Sequence, residues 1–286
     1  MIAELLTASR PLSWINTAFP FAAAYLLAAG RVDAALVVGT IFFLIPYNFA
    51  MYGVNDVFDY ASDLANPRKG GVEGALLDPR HHRTVLLSAL GVCLPFVVVL
   101  VILGPPVSWI VLAVSLFAVV AYSAPPLRFK EVPVLDSVTS SVHFVSPALY
   151  GMVLAGGVPD LRSGAILLAF FLWGMASHAF GAVQDVVPDR DAGIASIATV
   201  LGAARTVRLA LMLWGAAAVL MLTTGSPAAW AAALAIPYLC AAAPFARVSD
   251  ADSGEANRGW RHFLWINYFC GFLVTMLLIW SVIGTD

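Results

Sequence analysis

Long apolar runs, separated by turn signals, are the feature that most restricts what this chain can fold into. A helix needs about 20 mostly apolar residues to cross a bilayer. The runs are continuous rather than alternating, which excludes the strands of a membrane barrel. The sequence therefore predicts an all-α, polytopic membrane protein, with about nine transmembrane helices in a single domain over residues 1–286. The nine runs cover residues 12–29, 34–55, 84–103, 107–123, 134–156, 164–184, 205–224, 228–246 and 262–283.

Composition supports the membrane assignment. The chain is 61% hydrophobic and 11% charged, whereas a soluble domain carries about 25% charged residues. The formal net charge of −2 argues against a nucleic-acid-binding protein, which would present a basic face. The first residues lack a basic segment followed by a small-residue cleavage site, so no removable signal peptide is predicted. Cys93, Cys240 and Cys270 lie far apart in apolar runs, without the spacing of a metal site or a disulfide.

Basic residues are distributed unevenly over the predicted loops. With nine helices, the N-terminus shares one side of the membrane with every second loop. That side carries all the lysines and arginines except Arg31 and Arg162. By the positive-inside rule this side is cytoplasmic. The sequence therefore predicts a multi-pass protein of the plasma membrane with its N-terminus in the cytoplasm.

An acidic cluster ends the second predicted helix, in "NDVFDYASDLANPRKGG". Asn55, Asp59 and Asp63 stand at i, i+4 and i+8, so a continuing helix would stack them on one face. Asp56 begins a neighbouring row. Stacked carboxylates repel each other and are costly at a membrane boundary, unless a divalent cation neutralises them.

A second acidic cluster, in "QDVVPDRDAG", ends the sixth predicted helix. It places Asp185 and Asp189 four residues apart, followed by Asp191. Pro188 lies between the first two, so a kink or a frayed end is expected there. Both clusters fall at the predicted cytoplasmic ends of even-numbered helices, and we therefore expect them to face each other across a bundle.

Paired carboxylates beside cations are typical of a diphosphate site. Hard oxygen ligands suit Mg²⁺, which keeps several waters and binds substrate phosphate oxygens. Acidic residues at helix ends are often only solvated caps, but two clusters of matching spacing beside Arg and Lys favour a metal site. The predicted Mg²⁺ ligands are Asn55, Asp59, Asp63, Asp185 and Asp189. The predicted diphosphate-binding residues are Asn55, Arg68, Lys69, Arg128, Lys130 and Arg190.

At these residues the chain resembles the UbiA superfamily of intramembrane prenyltransferases. The motif N-x-x-x-D-x-x-x-D of that family is matched at residues 55–63, and D-x-x-x-D-x-x-x-G at residues 185–193. The stretch "YSAPPLRFK" (122–130) and the stretch "GIASIATVLG" (193–202) are similar to two of its loops. The resemblance implies Mg²⁺ dependence and nine helices around a central cavity.

A closer resemblance is to the lycopene elongases of actinobacteria. It is carried by residues 10–21, 45–60, 66–77, 171–186 and 255–269. It implies dimethylallyl diphosphate as donor and lycopene as acceptor, in carotenoid biosynthesis. The sequence leaves open whether a small partner subunit is needed.

The chemistry of the family requires residues that stabilise a carbocation and residues that end the reaction. An allylic cation survives where water is excluded and π-faces surround it. Tyr52, one turn before Asp56, is the aromatic residue expected to do so, and both are predicted to be catalytic. His143 and His178 lie inside apolar runs and are candidate bases, because a membrane-embedded ionisable residue indicates function. A structural hydrogen bond from either histidine, or proton uptake by the released diphosphate, remains an alternative.

Two other functions compete with this interpretation. A UbiA-type enzyme could use another lipophilic acceptor, such as a quinone precursor, but no Arg or Lys lies in the middle of a predicted span. A secondary transporter would place its acidic residues near the bilayer midplane, on broken helices of repeated halves. Here the acidic residues lie at one predicted face, beside basic loops. The loop at residues 249–261 lacks the spacing of a calcium-binding loop and is predicted to be exposed.

Overall fold

The computed structural model describes residues 2–60, 64 and 76–283, and these residues form helices without any strand. We number the α-helices in chain order. They are α1 (Ile2–Ala8), α2 (Ile15–Ala29), α3 (Ala34–Leu44), α4 (Pro46–Phe58), α5 (Pro79–Leu103), α6 (Pro106–Ser123), α7 (Leu135–Leu154), α8 (Leu161–Val183), α9 (Val186–Asp191), α10 (Ile197–Leu201), α11 (Ala203–Leu222), α12 (Ala235–Ala242) and α13 (Asn257–Ile283). Short 3₁₀ turns lie at Pro11–Ser13, Phe129–Glu131, Ala228–Leu234, Ala243–Phe245 and Ser253–Ala256.

The prediction of an all-α membrane protein is confirmed. Within the described residues, each of the nine predicted runs contains helix. Seven helical segments are long and apolar enough to cross a membrane, and α2 adds an eighth if it is joined to Glu4–Ser13 across a bend of 54°. The helix α7 is long enough at 20 residues but is not among the seven because it is less apolar. Its buried polar residues are Asp136, Ser137, Thr139, Ser141, His143 and Ser146.

Helix ends follow the local sequence. Asp33 accepts a hydrogen bond from the Leu36 backbone N–H and so caps α3, and Asp160 forms a reciprocal capping box with Ser163 at the start of α8. The hydrogen bond from the side chain of Arg31 is the largest cause that lowers the pKa of Asp33. The predicted second span is interrupted at Pro46, because proline has no N–H to continue the hydrogen-bond ladder of α3.

The chain divides into two compact units, which we describe separately. Unit 1 comprises residues 1–129 and 143–158. Its core is largely aromatic. Phe43 lies at its centre, with ring-centroid distances of 5.1 Å to Phe21, 5.0 Å to Tyr47 and 5.8 Å to Tyr150. Gly151 lies against the Phe21 backbone, where a Cβ would collide, so the missing side chain lets the two helices pack closely.

Unit 2 comprises residues 130–142 and 159–286. Trp214 of α11 is 1% exposed and lies in the main core. Its ring stacks on Tyr238 and Phe263 at centroid distances of 5.6 Å and 6.2 Å. The cores of both units thus contain clusters of aromatic rings, which are tilted around Phe43 in unit 1 and stacked on Trp214 in unit 2. The prediction of a single domain over residues 1–286 stays a prediction.

Candidate active site

The first acidic cluster lies where α4 ends. The helix ends at Phe58, and the N–H of Asp59 bonds to the Asn55 carbonyl at 2.9 Å. The Asn55 side chain donates to Asp59 Oδ2 at 2.6 Å and to Ser123 Oγ at 3.0 Å. Asp59 is 5% exposed. The expected juxtaposition of Asn55 and Asp59 is therefore present.

The helix α4 ends at Phe58, and Asp59 adopts a bend with ψ −1°. Asp63 itself lies outside the described residues, as do Arg68 and Lys69. Their predicted roles stay predictions.

Arg128 lies beside the same carboxylate. Its Nη1 donates to the Phe58 carbonyl at 3.3 Å, and its Nη2 lies 3.9 Å from Asp59 Oδ1. Its backbone has a φ of +40°, an uncommon conformation for a residue other than glycine. Asp59 is therefore flanked by an amide and a guanidinium, which is the charge arrangement expected beside a diphosphate. Lys130 lies 3.9 Å from Glu131 Oε1, and its contact with diphosphate stays a prediction.

Arg10 also lies beside the first acidic cluster, which the sequence did not predict. Arg10 Nη2 lies 2.7 Å from Asp56 Oδ1, and its guanidinium carbon lies 4.3 Å from the centroid of the Tyr52 ring. Asp56 is 1% exposed. The pair is separated by 46 residues, so the only sequence signal was a lone arginine ahead of the first apolar run.

The position of Arg10 changes how two predicted catalytic residues are interpreted. Asp56 is held in a buried ion pair rather than left available for proton transfer. One face of Tyr52 is covered by a guanidinium, so the ring is less attractive to a second cation. Asp56 and Tyr52 therefore fix the position of Arg10, and their predicted catalytic roles stay predictions.

Replacing Arg10 by methionine is expected to lower the free energy of unfolding by about 3 kcal/mol, because it leaves a buried carboxylate without its ion pair. The measurement is thermal or denaturant unfolding of the detergent-purified protein. Arg31→Met is the matched control, since Arg31 pairs with Asp33 while its side chain is 71% exposed, and solvent-exposed pairs contribute little to stability. Equal losses in the two variants would contradict a buried role for the Arg10 pair.

The second acidic cluster lies between two helices. The helix α8 ends at Val183, and Asp185 precedes the short helix α9. The N–H of Asp189 bonds to the Asp185 carbonyl at 2.9 Å, and both side chains are half-buried. The predicted break around Pro188 is confirmed, with the proline in the first turn of α9, where its missing N–H costs nothing.

Arg190 is engaged within unit 2. Its Nη1 donates to Asp250 Oδ2 at 2.6 Å, while Nε and Nη2 donate to the Thr199 carbonyl. Asp250 also accepts from the N–H of Ala203 at 2.7 Å. This N–H is the largest cause that lowers the pKa of Asp250, and Arg190 is the second. Arg190 therefore ties the second cluster to the segment that leads into α11, and its predicted contact with diphosphate stays a prediction.

The two predicted bases have different surroundings. His143 is 3% exposed, and its ring meets that of Tyr122 edge-on with centroids 5.3 Å apart. His178 Nε2 lies 3.7 Å from Asp136 Oδ2. Asp136, which sequence analysis did not single out, is fully buried. His178 therefore lies beside a buried carboxylate.

In the part of the chain that the structure describes, no three His, Cys, Asp or Glu side chains come close enough to hold a metal ion. The donor chemistry nevertheless fits Mg²⁺, because the Asn55 amide oxygen and the carboxylates of both clusters are hard oxygen ligands.

The loop that follows the eighth predicted span borders a groove of about 730 Å³ in unit 2. Asp252 accepts from Ser249 Oγ at 2.6 Å, and Glu255 pairs with Arg258 at 3.0 Å. Both acidic side chains are exposed, so the prediction of an exposed loop is confirmed.

Residues 17–281 match the UbiA prenyltransferase family. The chain belongs to this family. It is 53% identical to the lycopene elongase/hydratase of Corynebacterium glutamicum, with 97% of each chain covered. It is also 53% identical to the C(50) beta-cyclic carotenoids biosynthesis protein LbtBC of a Dietzia species, over 99% of this chain, although it spans only 66% of that longer protein.

The fold of this UbiA family member is shared with a solved structure. A UbiA homolog from Archaeoglobus fulgidus, bound to DMAPP and Mg²⁺, superposes with a TM-score of 0.67 at 18% identity. The likeness covers 93% of this chain and 98% of the homolog. The structural likeness confirms the fold, and the family match over residues 17–281 confirms the sequence-based assignment to the family.

Proposed function

We propose that this UbiA family member transfers a dimethylallyl group from dimethylallyl diphosphate to lycopene, in carotenoid biosynthesis. The observation that carries the proposal is the 53% identity to a lycopene elongase/hydratase across 97% of both chains. This likeness extends over nearly the full length of both chains.

The donor is held by the acidic clusters and their neighbouring cations. The proposed Mg²⁺ ligands are Asn55, Asp59, Asp63, Asp185 and Asp189. The proposed diphosphate-binding residues are Asn55, Arg68, Lys69, Arg128 and Lys130. Bound Mg²⁺ would draw charge from the diphosphate and so make it a better leaving group. The Mg²⁺ and DMAPP bound to the Archaeoglobus homolog support this assignment.

Residues of the chain position and protect the donor. Asn55 holds Asp59 through its amide N–H, which directs the amide oxygen away from that carboxylate. Arg128 offers a guanidinium next to Asp59, where a phosphate oxygen would find a charge-assisted hydrogen bond. Ionisation of the allylic C–O bond leaves a cation that must be kept from water. The buried His143 and Tyr122 provide an aromatic surface near the end of α6 for that purpose.

The acceptor is a hydrocarbon in this proposal. No Lys or Arg lies in the middle of an apolar run, so the spans offer no buried cation for the carboxylate of an aromatic acid. We place the acidic clusters and the N-terminus on the cytoplasmic side of the plasma membrane, because all basic residues except Arg31 and Arg162 fall on the same predicted side.

Expression of the chain in a lycopene-producing bacterium is expected to convert lycopene into longer, prenylated carotenoids. Their masses, measured by liquid chromatography and mass spectrometry, report the number of added five-carbon units. Cells that express the Asp59→Asn variant at equal level serve as the control, and a quinone precursor offered to purified protein tests the other acceptor class. Unchanged lycopene despite a folded, membrane-inserted protein would overturn the proposed acceptor.

A further inference from the structure

Asp136 is a fully buried carboxyl group that the donor site does not use. It is the second residue of α7 and is 0% exposed. An ionisable group buried in a membrane protein is costly, and it is retained mainly where it is held by partners and serves a function. The contacts of this side chain therefore indicate its role.

Backbone N–H groups hold both carboxylate oxygens of Asp136. Oδ1 accepts from the N–H of Ser137 at 2.7 Å, and Oδ2 accepts from the N–H of Ile197 at 2.7 Å. The first turn of α7 adds the positive end of a helix dipole. Among the described residues, no Lys or Arg forms an ion pair with Asp136. Its carboxylate is thus compensated by peptide dipoles, and its orientation is fixed from two separate segments of unit 2.

The remaining close neighbour of Asp136 is His178. The His178 Nε2 atom lies 3.7 Å from Oδ2, and its side chain is 19% exposed. The separation exceeds a hydrogen bond, but catalytic contacts in ligand-free structures are often long and shorten when substrate binds. A carboxylate beside Nε2 favours the tautomer with its hydrogen on Nε2, which leaves Nδ1 to accept a proton. The same carboxylate stabilises the positive charge that the ring then acquires.

The proposed reaction requires such a proton acceptor. The allylic C–O bond breaks and diphosphate leaves with the electron pair, while the terminal double bond of lycopene forms the new C–C bond. A tertiary cation remains on the acceptor. It loses a proton from a neighbouring carbon to give an alkene, or it takes up water and the oxonium loses a proton to give an alcohol. Each outcome releases one proton.

We propose that His178 accepts this proton and that Asp136 is its positioning residue. The inference rests on the proposed function, and it selects between the two histidines that sequence analysis could not separate. Asp136 orients the ring and neutralises its charge. Its hydrogen bond from the Ile197 N–H also attaches the segment after the second acidic cluster to the start of α7.

The test uses the full chain purified into lipid nanodiscs, with dimethylallyl diphosphate, Mg²⁺ and lycopene. Two quantities are measured: the rate of elongation, and the ratio of alkene to alcohol among elongated products. For His178→Gln we expect elongation to slow about 100-fold, the typical contribution of a general base. For Asp136→Asn we expect a loss of about tenfold or more. Both variants should shift the product ratio in the same direction, because another base then takes the proton.

The double variant distinguishes a shared role from separate structural defects. If the two residues act as a unit, the double variant elongates lycopene no more slowly than His178→Gln alone. The double variant carries Asp136→Asn and His178→Gln. The matched control is Asp160→Asn, which alters an exposed capping carboxylate at the other end of the His178 helix and should leave the ratio unchanged. If the buried Asp136→Asn variant does not fold, His178→Gln tests the same role at a side chain that is 19% exposed.

An unchanged product ratio in His178→Gln, or losses that multiply in the double variant, would overturn the role of the pair while leaving the proposed function intact. Failure of the unmodified chain to elongate lycopene would overturn both proposals. The two failures are therefore distinguishable.

Discussion

Replacing Asp59 by asparagine is expected to reduce prenyl transfer by about 100- to 1,000-fold, the usual loss when one preorganised electrostatic partner of a transition state is removed. The variant keeps the size of the side chain and an oxygen that can accept the Asn55 hydrogen bond of 2.6 Å. It loses the negative charge that is proposed to bind Mg²⁺ and that faces Arg128. The measurement is transfer of radiolabel from dimethylallyl diphosphate into carotenoid by purified protein.

The matched control for this prediction is Asp33→Asn. Asp33 is also a carboxylate at a helix end, but it caps α3 through the Leu36 N–H and takes no part in either acidic cluster. Both variants should insert into the membrane and elute as the unmodified protein does. Activity of Asp59→Asn within a few-fold of the unmodified protein would remove the argument for a metal site at this cluster.

Removing Mg²⁺ with a chelator is expected to abolish prenyl transfer, and adding the ion back should restore it. The physical reason is that a diphosphate leaves slowly unless cations neutralise its developing charge. In the Asp189→Asn variant, the Mg²⁺ concentration for half-maximal rate should rise about tenfold or more, the usual effect of weakening a metal site.

Donor binding gives a second readout for the metal prediction that does not depend on turnover. Calorimetric titration of dimethylallyl diphosphate should show tight binding only with Mg²⁺ present, and Asp189→Asn should weaken it. Arg205→Gln in the first turn of α11 is a control that changes one charge in unit 2 outside the proposed site. Transfer that continues at full rate in the presence of excess chelator would contradict the dependence on a divalent cation.

The acidic clusters show which structural features the sequence could predict. The four-residue spacing of Asn55 and Asp59 correctly predicted their contact, because that spacing spans one helical turn whatever the tertiary packing. The proline between Asp185 and Asp189 correctly predicted a break, for an equally local reason. The bend at Asp59 was not predicted, since an i, i+8 pattern is compatible with a continuous helix but does not require one.

The pattern of residues along the sequence could not predict contacts between distant residues. Arg10 pairs with Asp56 across 46 residues, and Asp136 binds the Ile197 N–H across 61 residues. Neither arginine nor aspartate carries a local signal of its distant partner. The contacts of Arg190 with Asp250 and the Thr199 carbonyl were unpredicted for the same reason, because folding brings these acceptors to it.

The sequence by itself determined the membrane class, the helices and the two acidic motifs, since apolar length and helical spacing are properties of short segments. Tertiary structure decided which cations and carboxylates meet. It placed Arg128 beside Asp59, buried Arg10 against Asp56, and gave His178 a carboxylate neighbour in Asp136. A charge inside an apolar bundle is stabilised only by the partners that packing brings within a few ångströms, and that proximity is set by the fold rather than by order along the chain.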